Sequence, residues 1–149
     1  MIKELVKPEH QLFHHRVNSC SYNLNRKVLS KILIENMIHH KGVGLSANQI
    51  GIWERAFVMV KDLQENEIIV CFNPKILKSY KDEVEMQEGC LSYPDLFLNI
   101  KRPDRIVVQY EDEKKETHKL KLSGIASRVF QHEYDHMEGI DFTQKVEHK

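Results

Sequence analysis

The stretch Gln131-His132-Glu133-Tyr134-Asp135-His136 decides how this chain is read. On a helix, residues four apart lie one above the other on the same face, so His132 and His136 can direct both imidazoles at one point. Two neutral imidazoles held this way form half of a metal site. Glu133 lies beside them, close enough to take a proton from a water at the metal but not placed to be a ligand, which is the division of labour in hydrolytic His-Glu-x-x-His helices. Ser123 is a suitable N-cap, Ile125, Ala126, Val129, Phe130 and Met137 supply an apolar stripe, and Gly139 suits the residue after the helix. The spacing therefore predicts a buried helix from about Gly124 to Glu138. With nine histidines in the chain, the competing reading is a surface helix that meets the motif by chance.

The chain has 149 residues, enough for one compact domain with a sizeable core. Its 22 basic and 22 acidic residues cancel, and no basic run is dense, so bulk electrostatics give no support to a nucleic-acid or membrane-surface partner. The N-terminal residues lack the apolar stretch of a signal peptide and no segment has the length of a membrane span, so a cytoplasmic protein is expected. Three scattered cysteines, Cys20, Cys71 and Cys90, read as reduced thiols.

Leu5 to Val17, with Pro8 and the pair His14-His15, reads as an irregular entry segment. From about Leu24 to His40, Leu24, Val28, Ile32, Met37 and Ile38 recur at helical spacing, with Leu29, Leu33 and Ile34 widening the stripe. This predicts a long amphipathic helix stopped by Gly42, with His39 and His40 at the negative end of its dipole. Gly42 to Gly51 follows as a loop. Its glycines permit close approach of another chain, and without a Lys-Ser or Lys-Thr after them it does not read as a phosphate cradle. Hydrogen bonding to an extended peptide suits it better, with Gln49 offering an amide donor. Arg55 to Val60 and Glu67 to Phe72 are expected strands, the second ended by Asn73-Pro74, with another extended piece from Lys75 to Tyr80.

Glu88-Gly89-Cys90-Leu91-Ser92 is expected as a loop that presents Cys90, whose thiolate would ligate a metal already held by two imidazoles; the plain alternative is an inert buried thiol. Phe97 to Ile100, Arg105 to Glu111 and Glu116 to Ser123 are expected strands, with a charged turn from Glu111 to Lys115 and a solvated His118. The last segment, Asp141 to Lys149, is short.

Together the Gly42 to Gln49 segment, the Glu88 to Ser92 segment and the His132 to His136 helix resemble, in order and spacing, the three signature motifs of the peptide deformylase family. Phe72-Asn73-Pro74-Lys75-Ile76 and Leu5 to Val17 extend the likeness over nearly all of the sequence. The resemblance implies an α+β fold with antiparallel sheets around a central metal-binding helix and a second long N-terminal helix. It implies removal of the formyl group from the formylmethionine of nascent polypeptides, which would be the partners of the protein.

Carried over residue by residue, the resemblance makes Cys90, His132 and His136 metal ligands, with water in the fourth position and Glu133 as proton carrier. The Leu91 N–H and the Gln49 amide would meet the oxyanion. The backbone of Val43, Gly44 and Leu45 would bind the peptide as an added strand, and Met86, Val129, Phe130 and His132 would surround the methionine side chain. Arg102 and Asp135, with Glu88, would pair to support the ligands. Iron(II) is the cation the family commonly uses, with zinc or nickel in purified forms. Ser46, Arg128, Tyr134 and Tyr93 depart from the usual pattern. A monomer is expected, and ribosome docking through a C-terminal helix is not; such a compact form is similar to those some phages carry, which would act in the host cytoplasm. Two rivals remain. A metzincin peptidase would need a third histidine where Phe142 stands, and a non-catalytic metal or binding module would have no use for Glu133 and Gln49.

Overall fold

A computed structural model describes residues 1–146, the Leu12 side chain excepted. Its fold is α+β: two helices of similar length on opposite faces of a five-stranded antiparallel sheet, with a separate two-stranded ribbon. Among the described residues, no helix is long and apolar enough to cross a membrane.

Helix α1 spans Arg26–His39 and is entered through Asn25, whose side chain accepts from the Val28 N–H at 3.1 Å. Its buried apolar residues are Leu29, Leu33 and Met37, whereas Val28 and Ile38 are exposed. The expected stripe thus held the buried residues but was too wide, taking in Val28 and Ile38, because a helix rich in Ile, Leu and Val all round does not reveal which face meets the sheet. The stop also differs. Lys41, not Gly42, takes the left-handed conformation (φ 61°), while the Lys41 and Gly42 N–H groups close onto Ile38 and Met37. Gly42 serves another purpose: a Cβ there would lie 2.6 Å from Leu91 Cδ1.

The sheet runs β1 (Gly44–Ser46), β2 (Ala56–Asp62), β3 (Glu67–Ser79), β6 (Ile106–Glu111), β7 (Thr117–Leu122). Alternation along β2 divides the core. Phe57 and Met59 pack with Phe130 and Met137 of the second helix, and Ala56 and Val58 pack with Leu29 and Leu33 of α1. Both faces of β2 are covered, which is why it reads as a continuous apolar run. The segment expected as a loop after Gly42 is instead the short edge strand β1 followed by a 3₁₀ turn, Ala47–Ile50.

Asn73-Pro74 does not end its strand. Asn73 adopts φ 50° and the register slips between Phe72 and Lys75, so a bulge absorbs the proline and β3 continues through 13 residues. His118 is less solvated than expected, with Nε2 2.7 Å from Asp112 and its ring stacked on Tyr110.

The ribbon pairs β4 (Glu83–Cys90) with β5 (Tyr93–Pro103). Cys90 therefore ends a strand and is not presented from a loop. A register shift between Gly89 and Cys90 turns the chain there. Helix α2, Gly124–Met137, starts after Ser123 and is followed by Gly139 at φ 75°. Its apolar face buries Val129, Phe130 and Met137, while Ile125 is half exposed.

Candidate metal centre

Helix α2 and the end of β4 bring Cys90, His132 and His136 together, with their ligand atoms within 4.8 Å of one another. The Cys90 Sγ lies 3.6 Å from His136 Nε2. A tetrahedral cation at ordinary metal–sulfur and metal–nitrogen lengths would separate such a pair by about 3.6 Å. His136 is fully buried and His132 nearly so. The rings cross edge to face, 5.0 Å between centroids, and Phe13 and Phe142 pack against them.

Electrostatics also favour a cation. Burial opposes charge on His132, yet its hydrogen bonds with Cys90 and Glu88 outweigh that cost and raise its pKa to about 10. Nδ1 is held by Glu88 Oε1 at 3.1 Å, which leaves the other ring nitrogen to the Cys90 side, where a metal would answer the same attraction. His136 is driven the other way, held well below the ordinary histidine range by burial, so its imidazole is a neutral donor able to hold a cation. These residues fit a metal of the zinc or iron type. A second group, Asp112, Glu116 and His118 on the β6–β7 turn, is more open to solvent, and Asp112 is already engaged by His118 and two backbone N–H groups.

Beneath the histidines, Glu88 is buried and accepts from Arg102 Nε at 2.6 Å, Arg102 Nη2 at 3.0 Å and Arg128 Nη1 at 2.5 Å. Burial opposes its charge, but the hydrogen bonds from His132 and Arg102 prevail and bring its pKa down to about 2. Arg102 also reaches Asp135 Oδ2 at 2.8 Å, so the expected cluster of Glu88, Arg102 and Asp135 is present. The Arg128 contacts were not foreseen: nothing local to the helix sequence marks partners 28 to 44 residues away.

Glu133 faces the opposite side. It is 4 % exposed, its Oε1 has no hydrogen-bond partner among the described residues, and burial raises its pKa to about 7. Only glycine at position 44 leaves it room, since a Cβ there would come within 2.6 Å of Glu133 Oε2. Gln49 points its amide at the same place, with Nε2 2.9 Å from Ser92 Oγ and 3.6 Å from Cys90 Sγ. Its Oε1 accepts from the Ser46 N–H at 3.0 Å, and the Ser46 hydroxyl stands 2.9 Å from it and 2.8 Å from Asn48 Oδ1, with one proton to give to either.

A groove of about 710 Å³ opens over these atoms between β1, the ribbon and α2. Val43, Gly44, Gln49, Met86, Glu88, Cys90, Leu91, Val129, His132 and Glu133 line it, ten of the residues singled out from the sequence. Because the Val60 N–H donates to Val43 O and antiparallel pairs alternate, Gly44 turns its backbone groups away from β2. Phe130 lies elsewhere, packed on Phe57 at 5.1 Å between centroids, while Leu45 pairs with Val58 of β2 and its side chain is buried in the α1 cluster. His136, Arg102 and Asp135 lie behind the groove wall.

The family model for polypeptide deformylase matches residues 2–149. A peptide deformylase of Thermotoga maritima is 42% identical over 125 residues, covering 84% of this chain and 74% of the relative. One from Picosynechococcus is 38% identical over 125 residues, 83% of this chain and 67% of the relative. The crystal structure of the Thermotoga maritima peptide deformylase superposes with a TM-score of 0.93 at 34% identity, covering 99% of both chains. A class I type b peptide deformylase from Acinetobacter baumannii gives 0.92 at 26% identity, over 98% of this chain and 99% of that one. The fold, the clustered Cys, His and His, and these likenesses agree: the chain belongs to the polypeptide deformylase family.

Proposed function

We propose that Cys90, His132 and His136 hold the metal of this metal-dependent hydrolase, and that Glu133 carries the proton as the formyl group of a formylmethionyl peptide is released as formate. The observation that carries this reading is an unpartnered, buried Glu133 oxygen beside three converging ligand atoms. Iron(II) is the expected physiological cation, and zinc or nickel suit the same donors. When bound, such a metal supplies Lewis acidity and a water that is nucleophilic at neutral pH.

The chain's own groups do the rest. Glu133, with a pKa near 7, takes a proton from the attacking water and returns it to the departing amine nitrogen as the C–N bond breaks. The products are formate and a peptide with a free amino terminus. The Leu91 N–H and Gln49 Nε2 donate to the oxygen of the formyl group as charge develops on it; the Ser46 N–H and the Ser92 hydroxyl fix the Gln49 amide before that moment. Gly44 offers its outward backbone groups to an extended peptide, which docks as an added strand. Met86 and Val129 then take the methionine side chain. A nascent peptide places this work in the cytoplasm.

The test is formate release from formyl-Met-Ala by protein prepared anaerobically with iron, beside the Glu133→Ala variant at equal metal content. Turnover in the first and its loss in the second are expected. No release from metal-loaded wild-type protein would overturn the reading.

A further inference from the structure

The three ligand atoms come from two elements that do not pair with each other. The histidines belong to α2, which packs on the five-stranded sheet, whereas Cys90 stands at the far end of the β4–β5 ribbon. The root of that ribbon continues the β3–β6 pair, with the Tyr80 N–H donating to Arg105 O and the Asp104 N–H to Asp82 O, and Gln131 Nε2 of α2 donates to Pro103 O there. Beyond the root, side chains hold the ribbon against the helix. Two buried guanidiniums cross the gap in opposite directions. Arg102 leaves the ribbon and reaches Asp135 on the helix. Arg128 leaves the helix, one turn before His132, and reaches the ribbon at three points: Glu88 Oε2 at 2.5 Å, Val84 O at 2.6 Å and Ile100 O at 2.9 Å.

Val84 and Glu88 lie on β4 and Ile100 on β5, so Arg128 fastens both strands at once. It also secures one oxygen of Glu88 while the other receives His132 Nδ1. Arg128 is 7 % exposed, and a buried ion pair is weak evidence for stability, since apolar residues of similar volume often serve as well. What apolar residues cannot do is set a distance in three directions with a planar fork.

Resting on the ligand set given above, we propose that Arg128 is a positioning residue that staples the β4–β5 ribbon to α2 and thereby sets where the Cys90 thiol stands relative to His132 and His136. It acts on the metal through Glu88 and the ribbon backbone, without touching either metal or substrate's formyl group. Lysine would keep the charge but not the fork.

The experiment compares wild type, Arg128→Lys and Arg128→Met as full chains loaded with cobalt(II). Metal affinity is read by competition with a chelator, geometry by the thiolate-to-cobalt absorption band, and catalysis as kcat and KM for formyl-Met-Ala. Both variants are expected to bind cobalt roughly 10- to 100-fold more weakly, as loss of groups supporting ligands does. The thiolate band should shift, and kcat per bound metal should fall more than KM rises. Arg128→Lys decides alone if Arg128→Met does not fold.

Wild-type affinity and an unmoved band, with KM alone raised, would overturn the proposal and leave Arg128 a wall of the groove. A lowered melting temperature with the same band and affinity would overturn it in favour of simple stabilisation. A wild-type protein without any thiolate band would instead sink the assignment of Cys90 as a ligand.

Discussion

His132 has a glutamate on each side of it, and the two are opposites. Glu88, on the ribbon side, is buried among two guanidiniums and an imidazole, with every oxygen engaged and its pKa held near 2. Glu133, on the groove side, is just as buried, has one oxygen without a partner and a pKa near 7. The same side chain at similar depth thus becomes a permanent anion in one place and a group able to exchange protons at neutral pH in the other. Burial opposes the charge on both; the partners of Glu88 overcome it and those of Glu133 do not.

The contrast is broken most directly by removing the proposed proton carrier, Glu133. Glu133→Ala is expected to lower kcat by roughly 10²- to 10⁴-fold while metal content and fold persist, measured by formate release and metal analysis. A variant keeping more than a tenth of the activity would mean that Glu133 is not the base. Glu88→Ala should act through the scaffold instead. It strands two buried guanidiniums, and a loss of about 3–5 kcal/mol in urea unfolding is expected, with metal affinity down roughly 10- to 100-fold. Unchanged metal affinity would refute the supporting role.

Acid separates the two in sign. The folded pKa of Glu88 lies below the unfolded value of about 4.5, so its contribution is present above that pH and is lost as pH falls toward 2. Glu133 is raised, so its contribution is full below about 4.5 and is lost as pH rises through 7. In metal-free protein, Glu133→Gln should therefore flatten the decline in unfolding free energy between pH 5 and 8, a change of up to ~3 kcal/mol. An identical slope in both proteins would show that Glu133 is not destabilised by its charge. The smallest effect belongs to Asp135→Asn at the partly exposed end of the Arg102 network, where a loss of about 1 kcal/mol and near-wild-type turnover are expected by thermal unfolding and formate assay.

The helix-borne half of the site was legible because helical spacing alone aligns His132, Glu133 and His136. Cys90 emerged only when three motifs were taken together, since nothing local distinguishes a ligand thiol from an inert one. What stayed hidden depends on long-range packing. The faces of α1 and α2 that meet the sheet, and hence the positions of Val28, Ile125 and Phe130, follow from docking angles that periodicity does not contain. Arg128 is understood only once β4 and β5 lie beside it. At Asn73-Pro74 the signals for a strand end were real but local, and a bulge let pairing continue beyond them.

The edge strand β1 is only three residues long, with its outer side turned into the groove. An unpaired edge normally invites sheets of other molecules to stack onto it. Here the edge is three residues long, ends in a 3₁₀ turn and is walled by the ribbon and α2. Shortness leaves this edge little length along which a second sheet could pair.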